Sequence, residues 1–274
     1  MFDLMEWLTG VKPLIPEDEL DWQLACFEWL LKGTGGFGRF RHSVTVLPTD
    51  NFFPQKGLRF PALQEAMFAQ IKIHAGMHRW PCRIAIQEAD PTPFVSAQVF
   101  VKNMPQSPAG TFRRSETDVV ITYNPALLSN PIAFVATLAH ELAHFLVSEI
   151  PEPPPGGSEN LEFATDMAAV FLGFGVFLLN SAFTYSQTTR YWSARRQGYL
   201  SEAQLLSALA IFTQLLQCDP APISREIKGH FRRPYKLGLR DISKSERLIA
   251  LRSIAPVDGA TREIPAPATA PVPA

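Results

Sequence analysis

The chain has 274 residues, 46% of them apolar, with 25 basic and 26 acidic side chains and a net charge of −1. That is enough apolar material for a large core, and the balanced charge argues against nucleic acid or an anionic membrane surface as the main partner. Three widely spaced cysteines, Cys26, Cys82 and Cys218, make neither a disulfide framework nor a CxxC metal pair, which fits a reducing compartment.

The N-terminal stretch MFDLMEWLTGVKPLIPEDELDW lacks the basic start and apolar run of a signal peptide, so a soluble, cytoplasmic protein is expected. Residues Glu17 to Lys32 read as an amphipathic helix rich in Trp, Phe and Leu, ended by GTGGFG. SVTVL, from Ser43 to Leu47, reads as a short strand, and Pro61 to His78 as a helix. That helix would carry His74 and His78 four residues apart. No glutamate follows His74, and Gly76 weakens the helix between them, so both read as packing or surface residues.

Three segments look like strands by alternation and β-branched content: Arg83 to Gln87, Ser96 to Val101, and Asp118 to Tyr123. AGTF, from Ala109 to Phe112, suggests a further short one. Asn130 is a good helix N-cap and Pro131 a good first helical residue. From Ile132 to Val147 the pattern is apolar nearly all round, which predicts a buried helix. PEPPPGG then ends it.

A second helix is predicted from about Glu159 to Leu179. It contains the longest apolar run, Met167 to Leu179, which at thirteen residues is too short to span a bilayer. A third, Ser201 to Leu216, opens with the Ser-x-x-Gln form of the capping box. The basic cluster from Arg225 to Arg240 reads as a solvated face, and the Pro/Ala tail has no means of forming a core. The fold class expected is α+β. Residues 1–80 form a helical and mixed segment packed on the core, 81–253 the core with a helical C-terminal half, and 254–274 a disordered tail.

Within the buried helix stands His140-Glu141-Leu142-Ala143-His144. Residues four apart share a helix face, so two imidazoles can grip one zinc ion. A glutamate between them can hold and deprotonate a water on that ion. A catalytic zinc needs a third protein ligand and an open position. The next helix offers Glu159, Glu162 and Asp166 on nearly one face. Asp166 opens the apolar run, where an unpartnered charge is costly; a zinc-bound histidine, donating from its second ring nitrogen, would be a natural partner.

HELAH, followed after seventeen residues by Glu162-Phe-Ala-Thr-Asp166, resembles the gluzincin zinc metallopeptidases, with their HExxH and later ExxxD, in minimal form. The resemblance implies one Zn2+ held by His140, His144 and Glu162, with Glu159 as the rival third ligand. It implies Glu141 as general base and Asp166 as the carboxylate that hydrogen-bonds a zinc-bound histidine, His140 in the first place. The fold it implies is zincin-like: a small twisted mixed sheet over an active-site helix, with the glutamate helix beneath. DVVITY would be a sheet strand and AGTF the edge strand that pairs with an extended peptide or protein substrate.

Related enzymes add a Tyr, His or Arg that stabilises the oxyanion; candidates are Tyr185, Tyr191, Tyr199, His230 and Tyr235. The resemblance spans roughly Arg83 to Leu179. FLGFGVFLLNSAF and RQGYLSE are also similar to segments of uncharacterised bacterial proteins with the same motif pair, which adds no function. The competing expectation is a zinc-binding regulatory or interaction protein that retains the site without turnover, and a third is a helical binding module without metal.

Overall fold

The computed structural model describes residues 13–87, 109–115, 118–189, 200–243 and 245–256. The segment Ser96 to Val101, read as a strand, and the tail from residue 257 lie outside them. The described residues form a mixed α+β structure, with one three-stranded sheet and a larger set of helices.

Helix α1 (Glu17–Gly33) begins with Glu17, Asp18 and Glu19 and carries Lys32 in its last turn, which suits the helix dipole at both ends. Its apolar face buries Leu24, Phe27, Leu30 and Leu31. Two tryptophans on it reach across the molecule. Trp22 Nε1 donates to the Pro155 carbonyl and Trp29 Nε1 to that of Glu152, each at 2.9 Å. The proline-rich loop is thereby fixed to α1. A short helix α2 (Gly36–Phe40) follows.

The segment Ser43 to Leu47 forms no strand and pairs with no described strand. Its Val46 N–H donates instead to the carbonyl of Gly173 at 2.9 Å. Helix α3 (Ala62–His74) ends four residues before the predicted limit, and Gly76 takes a left-handed φ of 70° just beyond it. His78 therefore lies off the helix. His74 is buried, with Nε2 at 2.9 Å from the Phe52 carbonyl.

Strands β1 (Arg83–Ile86), β2 (Gly110–Arg114) and β3 (Val119–Tyr123) lie in the order β1-β3-β2. β1 runs parallel and β2 antiparallel to the central β3. In β3, Val119, Ile121 and Tyr123 are buried and the residues between them only partly so, the alternation of a sheet packed on one face.

Helix α4 (Pro131–Ser148) starts where Asn130 Oδ1 accepts the Ala133 N–H at 3.1 Å. Every residue from Ala133 to Ala143 is buried between the sheet and the helices behind. Helix α5 (Leu161–Ala169) packs beside it. The predicted single helix from Glu159 to Leu179 is broken. A π-helical turn spans Val170–Phe174, and α6 (Gly175–Thr189) then continues ten residues beyond Leu179. Gly173 in that turn has φ 100°, and a Cβ there would sit 2.2 Å from the Val44 carbonyl oxygen. The crossing segment 43–47 thus opens the helix at the one residue that allows it.

Helix α7 (Glu202–Leu216) begins with a complete capping box between Ser201 and Gln204. Helices α8 (Pro220–Glu226), α9 (Arg232–Ile242) and α10 (Glu246–Leu251) complete the helical half. Asp219 caps α8 and Ser245 caps α10. α9 buries Tyr235, Gly238 and Ile242 and exposes Arg232, Arg233, Lys236 and Arg240.

One hydrophobic cluster runs from Leu24 on α1 to Leu251 on α10. Two helical stretches, Pro131–Ser148 and Ser158–Ala182, have the length and apolar composition of a membrane span, and both are mostly buried in that cluster.

Candidate metal centre

The packing of α5 on α4 brings His140 and His144 against Glu162. Each histidine Nε2 lies 3.4 Å from Glu162 Oε2. The three donor atoms all fall within 4.8 Å of one another, and this group can hold a metal ion. Tetrahedral zinc with bonds of about 2.0–2.1 Å requires neighbouring donors roughly 3.3–3.4 Å apart. The two His–Glu distances match that requirement.

The remaining ring nitrogens are both engaged by consecutive residues of α5. His140 Nδ1 donates to Asp166 Oδ1 at 2.8 Å, and Asp166 Oδ2 accepts the Leu200 backbone N–H at 3.0 Å. An ionised carboxylate only accepts, so the His140 proton is placed on Nδ1 and Nε2 is left to face Glu162. His144 Nδ1 lies 3.2 Å from Thr165 Oγ1, whose hydroxyl donates to the Leu161 carbonyl at 2.8 Å. With its own hydrogen so used, Thr165 accepts from His144 Nδ1–H. Both rings thus turn Nε2 to the same point.

The electrostatics follow from crowding charge into a buried place. Burial alone would lower the pKa of His140, but its hydrogen bonds to Asp166 and Glu162, with the charge of Asp166 and Glu141, raise it to about 10. Hydrogen bonds to the two histidines hold Glu162 well below the usual carboxylate range. Burial pushes Glu141 upward, against the pull of His140 and His144.

Strand β2 closes one side. A Cβ at Gly110 would lie 2.7 Å from Thr137 Cγ2 and 2.9 Å from Glu141 Cγ and Oε1. Only glycine lets the strand come this near Glu141 without displacing it. Two residues on, the Phe112 ring stacks on His144 at 15°, centroids 6.2 Å apart.

The sequence candidates distribute unevenly around this centre. Glu159 lies exposed on the 3-10 turn Ser158–Asn160 and is outside the group, whereas Glu162 is within it. Tyr235 is fully buried, with its hydroxyl 2.8 Å from Thr213 Oγ1, so it is a core residue and not an oxyanion donor. His230 is exposed, its ring 4.0 Å from that of Phe231. Tyr191 and Tyr199 lie outside the described residues, and for Tyr185 only the helical backbone is described.

Sequence reasoning missed Gly110, Thr165 and the Leu200 N–H. A glycine in a strand pattern can signal close approach of another element, but it does not name the element. A threonine inside a helix carries no signal at all. Comparison of the chain with models of known protein families, with curated proteins and with solved structures finds no match.

Proposed function

We propose that the chain is a zinc-dependent metallopeptidase with a zincin-like core of gluzincin type, made by β1–β3, α4 and α5. The observation that carries this reading is the convergence of His140 Nε2, His144 Nε2 and Glu162 Oε2, with both histidines at the His–Glu spacing a tetrahedral zinc requires. Its support is the pair of hydrogen bonds that the histidine Nδ1–H groups donate to Asp166 and Thr165, which set both imidazole tautomers for metal binding. In this reading His140, His144 and Glu162 hold the ion, which when bound polarises a carbonyl and lowers the pKa of a water.

The chain's own part falls chiefly to Glu141. It sits one residue after His140, buried against Gly110. Burial raises its proton affinity, which makes its carboxylate a stronger base than a solvated one. It takes the proton from the attacking water and returns it to the nitrogen of the leaving amine. Asp166 and Thr165 keep the histidine rings still while this occurs. Phe112 stacks on His144 from the strand side.

The test is Glu141→Gln in zinc-loaded protein. Zinc stoichiometry should stay at one per chain while peptide cleavage falls by at least a hundredfold. A zinc-loaded wild-type protein that cleaves nothing in a broad peptide library contradicts the peptidase reading and favours the regulatory one.

A further inference from the structure

Beside His144 the surface opens into a cavity of about 280 Å³. Its walls include Trp29, Phe112, Val147, Ile150, Pro153 and Leu161, together with His144. Leu161 keeps 38% of its surface exposed, a large apolar group left uncovered at the edge of the candidate metal centre. The cavity is smaller than the roughly 300–1,000 Å³ that houses a whole small-molecule ligand, and it suits a single large side chain. The walls are tied down: Trp29 donates to the Glu152 carbonyl, which fixes the proline loop, and Ile150 packs within 3 Å of where a Gly33 Cβ would be. Among the described residues, Glu152 is the one carboxylate on the lining, and it is exposed at the rim.

The direction of β2 decides which part of a peptide reaches this cavity. β2 runs along α4 in the same sense: Gly110 lies at Thr137 and Glu141, Phe112 at His144, and Arg114 pairs with Glu149 and reaches Ser148 at 3.4 Å. Among the described residues the outer edge of β2 is unpaired. A peptide that adds antiparallel to that edge has its N-terminal end beside Arg114 and its C-terminal end beside Gly110. The cavity, with Val147, Ser148 and Ile150 on its wall, lies towards the Arg114 end.

We propose that this cavity binds a large apolar, preferably aromatic, side chain of the residue on the acyl side of the scissile bond. The proposal rests on the zinc-peptidase reading, and a binding experiment separates the two because it needs no turnover. Zinc-loaded protein is titrated with N-acetyl-glycine, N-acetyl-phenylalanine, N-acetyl-lysine and N-acetyl-aspartate hydroxamates by calorimetry. The phenylalanine compound should bind about ten- to a hundredfold more tightly than the glycine one, the gain of burying one aromatic side chain. The aspartate compound should gain nothing.

Leu161→Trp, which fills the mouth, should bring the phenylalanine-to-glycine ratio close to one, and Leu161→Ala should lower it partway. Equal affinities in the wild type, as when another segment of the chain fills the cavity, overturn the proposal. So does a larger gain for lysine, which would make Glu152 the determinant. Protein that loads zinc but binds none of the hydroxamates overturns both readings. An aromatic gain without cleavage of any peptide upholds the cavity and overturns the peptidase reading alone.

Discussion

Two buried hydrogen bonds of equal length tie helices together in this molecule, and they end differently. Between α7 and α9 the Tyr235 hydroxyl meets Thr213 Oγ1 at 2.8 Å, and Thr213 passes its own hydrogen to the Leu209 carbonyl. Every polar atom of that pair is spent within the core. Between α4 and α5 the His140–Asp166 contact is also 2.8 Å, but it turns a second ring nitrogen towards Glu162 and His144. A buried polar pair that closes on itself specifies packing. One that aims a further donor atom at other donors specifies chemistry.

Damage to the first kind of pair should therefore be read in stability and damage to the second in metal affinity. The largest effect should come from Asp166→Ala. It removes the acceptor that fixes the His140 tautomer, and zinc affinity should fall about ten- to a hundredfold in a chelator competition. Unchanged affinity would show that the carboxylate does not orient the ligand.

The pH dependence should be nearly as large. In the metal-free protein His140, raised to about 10, carries its second proton on Nε2 at neutral pH, and zinc must displace it. Zinc affinity should therefore rise by about tenfold per pH unit between pH 6 and 8, with about one proton released per ion in calorimetry across buffers of different ionisation enthalpy. The sign for stability is the reverse. The folded pKa is above the unfolded one, so this group stabilises the metal-free fold fully below about pH 6.5 and progressively less as pH rises towards 10. A zinc affinity flat with pH contradicts the assignment of His140.

Thr165→Val should cost about tenfold in zinc affinity, near the low end of such effects, and Thr165→Ser should restore it. Loss in both variants would point to packing alone. The smallest effect belongs to the closed pair. Tyr235→Phe should lower unfolding stability by about 1 kcal/mol in denaturant melts and leave zinc affinity where it was. A change in zinc binding there would erase the distinction between the two pairs.

What was legible in the sequence was whatever a local rule writes down. The caps at Asn130 and Ser201, the alternation in β3 and the i, i+4 histidines on α4 each express one element's own geometry. What was not legible depended on another element. FLGFG reads as unbroken apolar helix, because the cause of its π-helical turn is the carbonyl of Val44 and the N–H of Val46 crossing it. SVTVL reads as a strand because it is rich in β-branched residues, yet its hydrogen-bond partner is that helix turn. In the site, Glu162 and Asp166 were readable from a four-residue spacing. Thr165 between them was not, since a hydroxyl inside a helix bonds its own backbone in most settings and says nothing of a neighbouring imidazole. Gly110 carries no such local signal, because its reason is Glu141, on a later helix.

His140, His144 and Glu162 sharing one zinc ion is a matter of coordination, which X-ray absorption spectroscopy of zinc-loaded protein reads at the metal. Two imidazole nitrogens and oxygen donors at about 2.0–2.1 Å with no sulfur are expected, and loss of one imidazole in His144→Ala. A sulfur shell near 2.3 Å, or an unchanged spectrum in that variant, would contradict it.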